Sequence, residues 1–300
     1  MGAQADSACR KSGEDDVAIP DGHFLMGAGN LYPEEGPPHE ESVGPFSIDR
    51  YAVTNAQFAR FVAATGYVTD AERKPDPADY PEADPKALVA GGAVFRQPAA
   101  ADLDDPMQWW QIVPGANWQH PEGPDSSIEG RGDYPVVQVS YNDALAYAHW
   151  LGRDLPTEIQ MEYAARGGLD GKKYAWGDEF TPGSKPQANT WQGKFPVVNT
   201  GADGFPGLAP VGCFPPNGYG LYDMIGNVWE WSSTLYQPVA DQGHRPNRAL
   251  RVIKGGSFLC APNYCFRYRP AARESQESGF SSSHLGFRTV GNRSKWGEMK

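Results

Sequence analysis

The sequence predicts a single loop-rich α+β domain with little regular secondary structure. Its 35 glycines, 27 prolines and 12% aromatic residues exceed what a helical bundle carries, and they indicate many turns held by aromatic packing. Helix signals occur in three short stretches between residues 54 and 168, whereas strand signals are scattered along the chain. No shift in composition marks a point at which the 300 residues would divide into two domains.

Each predicted helix begins with a capping box, in which a Ser or Thr side chain caps the first turn and an acid or amide three residues later reaches back. The three pairs are Thr54 with Gln57, Ser140 with Asp143, and Thr157 with Gln160. Glycines at positions 66, 152 and 167 are predicted to end these helices. All three helices are therefore short, and no further helix is predicted after Gly168.

Strands are predicted where β-branched and aromatic residues gather between turn residues. These stretches are 17–20, 46–48, 136–139, 251–254 and 286–290. The stretch 74–124 is rich in Pro, Ala and Asp, and is predicted to be a long insertion that Trp109, Trp110 and Trp118 partly order.

The charge balance disfavours two classes of partner. A formal net charge of -11 and a pI near 5.0 oppose binding to nucleic acid or to an anionic membrane. No apolar run suits a secretory signal or a membrane span, so the sequence predicts a cytoplasmic location. Residues 1–15 are predicted to form a disordered tail, 16–292 the domain and 293–300 a C-terminal tail.

The sequence lacks the residues that several familiar kinds of active site require. No HExxH motif is present, and the six histidines show no metal-ligand spacing. The glycine-rich stretch 167–173 is one residue short of a phosphate-binding loop and lacks the Ser or Thr that holds magnesium. The sequence therefore supports neither a nucleotide nor a nicotinamide cofactor.

The densest chemistry surrounds two of the four cysteines, a number too small for a disulfide scaffold in a chain of this length. Cys260 and Cys265 do not have the redox Cys-x-x-Cys spacing, and no second pair completes a four-sulfur zinc site. Two thiolates suit a soft ion that accepts two ligands, and copper(I) fits best. Two unrelated core cysteines or a disulfide would produce the same spacing.

A basic cluster lies close to the cysteine pair in this acidic chain. Its members are Arg267, Arg269, Arg273 and Arg288. The cluster could bind an anion, favour the thiolate forms that metal ligation requires, or form salt bridges, which is the commonest fate of arginines.

The region around the cysteines resembles the active-site signature of formylglycine-generating enzymes, the sulfatase-modifying factor family. The resemblance is carried by 255–273, by Leu285-Gly286-Phe287-Arg288, by 217–231 with its Gly-Asn-Val-Trp-Glu-Trp ending, by Leu155-Pro156-Thr157-Glu158 and by 48–55. It extends over roughly residues 17–290 and implies the C-type-lectin-like fold of that family.

The resemblance also implies an oxidase whose partners are O2 and sulfatase-type polypeptides with a Cys-x-Pro-x-Arg motif. Copper(I) would lie between Cys260 and Cys265, and the client's cysteine would join as a third sulfur ligand. The client side chain would be oxidised to a thioaldehyde, which hydrolyses to formylglycine. Around this centre, Ser257 and Trp229 fall on positions that line an oxygen pocket, and Tyr264 and Asn263 lie beside the ligands.

Two structural calcium sites are implied by the same resemblance. Asn189, Thr190, Asp203 and Phe205 match the first set, and Asp223, Gly226, Val228 and Glu230 match the second. Thr190, Phe205, Gly226 and Val228 would bind through backbone carbonyls. Calcium prefers such mixtures of carboxylate and carbonyl oxygens.

Two other functions stay open within the same superfamily. A non-catalytic, lectin-like paralogue would keep the fold and lose the cysteines, but both cysteines are present. Another metal-dependent oxygenase, such as an iron-dependent sulfoxide synthase, would carry a histidine-rich site and an additional helical domain, and the sequence shows neither.

Overall fold

Three helices occupy the predicted positions in the computed structural model, which describes residue 9 and residues 16–29, 31–79, 81, 84–85, 88–237 and 249–292. Helix α1 spans Asn55–Thr65, α2 spans Tyr141–Trp150 and α3 spans Glu158–Arg166. Both halves of each predicted capping box form. The three helix predictions are therefore confirmed.

Eleven short strands form among the described residues. They are β1 (Asp16–Ile19), β2 (Gly22–Met26), β3 (His39–Val43), β4 (Phe46–Asp49), β5 (Gly91–Phe95), β6 (Trp110–Pro114), β7 (Trp229–Leu235), β8 (Leu250–Lys254), β9 (Arg273–Glu277), β10 (Leu285–Gly286) and β11 (Val290–Asn292). The sheets have the orders β1-β4-β11, β10-β7-β8-β9, β2-β3 and β5-β6. Only the β10–β7 pair is parallel among these neighbours.

The strand predicted at 136–139 is wrong. Gln138 adopts a φ of 58°, which interrupts the extended backbone. The segment instead bonds to two separate loops: the Val136 N–H donates to the Val53 carbonyl and the Gln138 N–H to the Ser282 carbonyl, each at 2.9 Å. The predicted strand 286–290 is likewise divided between β10 and β11, because residues 287–289 form no ladder.

The main core is built from aromatic side chains, as the composition predicts. Phe58 of α1 is fully buried, and its ring centroid lies 5.3 Å from that of Trp118 and 6.3 Å from that of Phe287. Tyr147 of α2 stacks on Phe58 at 5.9 Å. These contacts join α1 and α2 to the segment that follows β10.

The predicted insertion, 74–124, contains the hairpin β5–β6. Trp109 and Trp118 are buried, so the prediction that tryptophans partly order this stretch is confirmed. The Ala93 N–H donates to the Ser281 carbonyl at 3.0 Å, and the Ser283 N–H donates to the Ala93 carbonyl at 2.9 Å. These bonds fix the hairpin beside β10.

One disulfide joins the N-terminal region to the domain. Cys9 is the described residue of the predicted tail 1–15, and it is bonded to Cys213. Disulfides are typical of oxidising compartments, so this bond does not favour the predicted cytoplasmic location. That location stays a prediction. The other residues of the two predicted tails, 1–15 and 293–300, lie outside the described residues. Within the described ranges, no helix is long and apolar enough to cross a membrane.

Candidate active site

The candidate site lies on the segment 255–272, which follows β8 and has no regular secondary structure. Gly256 has a φ of 72°, and a Cβ atom there would lie 3.0 Å from the Arg267 carbonyl oxygen. Only a residue without a side chain lets the segment fold back so closely on itself. Cys260 and Cys265 both lie between these two touching points.

The two thiols are free and hydrogen-bonded to each other. Cys260 is buried, with 1% of its surface exposed, and Cys265 is partly exposed. Burial, and then the hydrogen bond with Cys265, raises the pKa of the Cys260 thiol well above its usual range. That bond lowers the pKa of Cys265, and the positive charge of Arg267 lowers it further. The hydrogen bond from Cys260 and the charge of Arg267 therefore both favour the thiolate form at Cys265.

The four arginines of the basic cluster all form ion pairs. Arg267 contacts Glu34 and Glu274, Arg269 contacts Glu35, Arg273 contacts Glu158, and Arg288 contacts Glu230. Arg267 also lies over the Tyr32 ring, 4.1 Å from its centroid. Of the three roles that the sequence leaves open, salt-bridge formation is confirmed, and Arg267 additionally favours a thiolate.

Ser257 and Trp229 are brought together by a residue that sequence reasoning missed. His284 Nδ1 lies 3.1 Å from Ser257 Oγ, and the His284 carbonyl accepts a hydrogen bond from the Trp229 N–H at 2.9 Å. Trp229 is buried in the same core cluster as Cys260. His284 lacks metal-ligand spacing, but its position directly before the Leu285-Gly286-Phe287-Arg288 motif is the signal that could have found it.

Tyr264 and Asn263 have different positions beside the thiols. The Tyr264 ring stacks on Phe195 with centroids 4.7 Å apart, meets Trp109 edge-on at 5.5 Å, and is 37% exposed. The Asn263 side chain donates to the Phe195 carbonyl at 3.0 Å and accepts from its N–H at 3.3 Å. Asn263 therefore anchors the segment to Phe195 by hydrogen bonds, and Tyr264 packs its partly exposed ring on the same residue.

A cavity of about 330 Å³ opens beside Trp229 and His284. The hairpin forms one side of it, with Trp110 and the exposed Ile112, and β9 contributes Glu274. Glu274 also lies 3.2 Å from Arg267, the residue whose charge lowers the pKa of Cys265. The mostly apolar wall of the cavity, with a few polar groups, suits a short segment of an extended peptide.

The residues of the first predicted calcium set lie together. Asp203 accepts hydrogen bonds from the Thr190 N–H at 3.0 Å and from the Phe205 N–H at 3.1 Å. Burial raises the pKa of Asp203. Asn189 Oδ1 is buried and has no hydrogen-bond partner among the described residues. The unpaired oxygen belongs to the residue directly before Thr190, whose N–H contacts the buried Asp203 carboxylate, and amide and carboxylate oxygens are ligands that calcium takes, so this set fits calcium.

The second predicted calcium set fits less completely. Both oxygens of Glu230 accept hydrogen bonds from Arg288, at 2.6 and 2.8 Å. Asp223 accepts from the Gly212 N–H at 2.7 Å, and burial raises its pKa to about 6. A calcium ion would therefore have to share Glu230 with a buried guanidinium. Gly226 and Val228 lie in the turn between these two carboxylates.

No three His, Cys, Asp or Glu side chains converge as a metal site in the part of the chain that the structure describes. The candidate copper centre therefore depends on two thiols alone. Each candidate calcium centre depends on one or two carboxylates supplemented by amide and carbonyl oxygens.

Comparisons with known proteins identify a family, named relatives and a similar solved structure. The sulfatase-modifying factor enzyme 1-like domain matches residues 2–293. The chain is 52% identical to a formylglycine-generating enzyme from Mycobacterium tuberculosis, over 91% of this chain and 96% of that protein. It is 41% identical to the mouse inactive C-alpha-formylglycine-generating enzyme 2, over 91% of this chain and 84% of that protein.

PvdO from Pseudomonas aeruginosa, a solved structure, superposes with a TM-score of 0.64 at 26% identity, covering 92% of this chain and 93% of that chain. The predicted fold class is therefore confirmed.

Proposed function

The chain belongs to the sulfatase-modifying factor enzyme 1-like family, and we propose that it uses copper(I) and O2 to convert a client cysteine in a Cys-x-Pro-x-Arg motif to formylglycine. The enzyme class, a formylglycine-generating oxidase acting on a sulfatase cysteine, follows from its named relatives. The observation that carries the finer proposal is that Cys260 and Cys265 are both free thiols and are hydrogen-bonded to each other.

The thiol pair meets the requirements of copper(I). Both sulfurs are free, and Cys265 is poised to ionise because Cys260 and Arg267 stabilise its thiolate. A soft ion of low coordination number suits two thiolates, and in the described part of the chain no His, Asp or Glu joins them to form a three-ligand group. When bound, copper would supply the redox chemistry that couples O2 to oxidation of the client's sulfur-bearing carbon, which side chains alone cannot supply.

The surrounding side chains would hold the client and keep water away from the reacting carbon. Trp229 and Ser257 form a buried wall next to Cys260. The adjoining cavity would receive the client as an extended segment, and Glu274 is the charged residue on its wall. A carboxylate there suits the arginine of the client motif. We expect Glu274→Gln to raise KM for the peptide, because it removes the carboxylate that would pair with the client's arginine, and an unchanged KM would contradict this role.

We also propose that calcium binds the first set, where Asn189 and Asp203 would donate side-chain oxygens and Thr190 and Phe205 carbonyls. The unpaired Asn189 oxygen and the buried Asp203 carboxylate support this assignment. The second set stays a prediction of the family resemblance. Calorimetric titration of the chelator-treated chain measures the stoichiometry, and an absence of calcium binding would contradict both sites.

The main alternative is a non-catalytic binding paralogue, since an inactive relative is nearly as similar to this chain as the enzymes are. Two free cysteines in contact favour the oxidase, because a binding module has no use for a paired thiol. An iron-dependent oxygenase is disfavoured, because the described residues hold no histidine-rich metal group.

Mass spectrometry of a Cys-x-Pro-x-Arg peptide tests the function directly. The copper(I)-loaded chain under O2 is expected to convert the peptide cysteine to the aldehyde, and Cys260→Ser or Cys265→Ser should abolish conversion. Cys9→Ser is the matched control, since it removes a cysteine that is bonded to Cys213 and lies outside the site. Absence of conversion by the wild type, or full conversion by either site variant, would overturn the proposal.

A further inference from the structure

His284 connects the two residues of the predicted oxygen pocket, and neither the proposed mechanism nor the sequence pattern uses it. Its side chain reaches Ser257 and its backbone carbonyl accepts the Trp229 N–H. We propose that His284 is a positioning residue that fixes the direction of the Ser257 hydroxyl, so that its proton points to the imidazole and one lone pair of its oxygen is left free next to Cys260. This inference rests on the proposed oxidase function.

The hydrogen bonds around Ser257 determine where its proton points. Ser257 is fully buried, so its hydroxyl proton needs an acceptor within the protein. Its oxygen already accepts the Leu259 N–H at 3.3 Å. Among the described residues, the acceptor within reach of the hydroxyl is His284 Nδ1, at 3.1 Å. The proton therefore lies on the Ser257–His284 line, and one lone pair of the oxygen stays free.

A neutral imidazole that accepts at Nδ1 carries its own proton on Nε2. Burial lowers the pKa of His284 to about 3, so the ring stays neutral at physiological pH. The ring also lines the cavity of about 330 Å³. The same arrangement that directs the Ser257 proton to Nδ1 thus leaves the Nε2–H as a donor on a ring that lines the cavity.

The position of His284 is fixed from several directions. Its ring packs against Trp110, with centroids 4.8 Å apart. The preceding residue, Ser283, is bonded to β5 twice: its N–H donates to the Ala93 carbonyl at 2.9 Å and its hydroxyl accepts the Phe95 N–H at 3.2 Å. An imidazole held this firmly can set the rotamer of a smaller hydroxyl rather than follow it.

The hydrogen-bond direction can be measured without copper or client. Long-range ¹H–¹⁵N spectra of the copper-free full chain, labelled at histidine, distinguish protonated from unprotonated ring nitrogens, and His284→Asn identifies the His284 signals. We expect an unprotonated Nδ1 and a protonated Nε2. In Ser257→Ala the Nδ1 signal should shift, while those of the other histidines stay in place. A protonated Nδ1 would overturn the proposal.

Kinetics test whether the bond matters for the reaction. His284→Leu removes the acceptor and should lower kcat roughly tenfold with little change in KM for the peptide, as expected for loss of one buried hydrogen bond in the reacting complex. His284→Asn places an amide near the Nδ1 position and should restore most of kcat. A His284→Leu variant that keeps the kcat of the wild type would overturn the proposal.

A double-mutant cycle identifies Ser257 as the residue through which His284 acts. Ser257→Ala combined with His284→Leu should be no slower than Ser257→Ala alone, whereas independent roles would multiply the two losses and contradict the proposal. His23→Leu is the matched control, because His23 Nδ1 lies 2.9 Å from Ser42 Oγ in an exposed Ser–His pair. If the wild type does not convert the peptide, the proposed function fails, and the spectra alone decide whether His284 holds the Ser257 proton.

Discussion

The cysteine segment, 255–272, and the first calcium segment, 189–205, both lack regular secondary structure but are held in different ways. The cysteine segment is fixed by the chain's own charges, with Arg269 paired to Glu35 and Arg267 paired to Glu34. Among the described residues, no ion pair lies at the centre of the calcium segment. There Asn189 Oδ1 is buried and unpaired among the described residues, and burial raises the pKa of Asp203.

This difference between the two segments indicates which of them needs an external ion. A buried carboxylate opposite a guanidinium is neutralised whenever the chain is folded. A buried carboxylate that meets only N–H groups keeps much of its desolvation cost until a cation arrives. We therefore expect the cysteine segment to keep its shape without metal, and the calcium segment to depend on calcium for part of its stability.

Breaking an internal ion pair should give the largest effect. Arg269→Met leaves the Glu35 carboxylate, which is 4% exposed, without its partner. We expect the free energy of unfolding to fall by about 3–5 kcal/mol in denaturant titrations. Arg96→Met is the control: its pair with Glu122 is 40% and 60% exposed, and should cost less than about 1 kcal/mol. Equal losses would mean that burial of the pair does not brace the segment.

The fold-back of the cysteine segment should be the next most sensitive feature. Gly256→Ala is expected to cost about 3 kcal/mol, because it adds both left-handed strain and a contact with the Arg267 carbonyl. Gly171→Ala isolates the strain, since Gly171 has a φ of 66° and no atom within 4 Å of the added Cβ. It should cost about 1–2 kcal/mol. Chelator competition should show weaker copper(I) binding for Gly256→Ala alone, and equal effects of the two variants would contradict a role for the close contact.

Calcium removal should affect the other segment. At a calcium concentration near 100 times Kd, chelation should lower the free energy of unfolding by about 2.7 kcal/mol. Asp203→Asn should abolish most of this response. Asp178→Asn should retain it, because Asp178 is 61% exposed and pairs with Lys172. A melting temperature that chelation leaves unchanged in the wild type would remove the contrast between the two segments.

A feature of the fold could be predicted when the residues that determine it lie close together in the sequence. The capping boxes lie within four residues of sequence, so the helices were visible. Strands β3 and β9 were missed because both are edge strands whose sequences, His-Glu-Glu-Ser-Val and Arg-Glu-Ser-Gln-Glu, are polar. Gln138 looked like part of a strand, because nothing local shows that its N–H bonds to Ser282.

The candidate site shows the same limit. Cys260, Cys265, Ser257 and Trp229 were found through a motif, and what the motif implies of their chemistry stays a prediction. The counterions were not found, because Glu34 and Glu35 lie 233 and 234 residues away from their arginines. His284 was missed because its partner Ser257 is 27 residues away, and spacing rules for metal ligands do not describe a hydroxyl–imidazole bond.

The smallest expected effect concerns Gln192, which partly replaces a cation at the calcium segment. Its amide donates to the Thr190 carbonyl at 3.0 Å and lies 3.4 Å from Asp203 Oδ2. Gln192→Leu should therefore cost about 1 kcal/mol in the calcium-free chain, the usual value of a neutral hydrogen bond, and less when calcium neutralises Asp203. Gln187→Leu is the control, since its amide donates to the Lys185 carbonyl at the surface and should respond equally in both states. Denaturant titrations with and without chelator measure the difference. A Gln192→Leu cost that does not change with calcium would mean that Asp203 is already neutralised within the chain, as the carboxylates that pair with the arginines of the cysteine segment are.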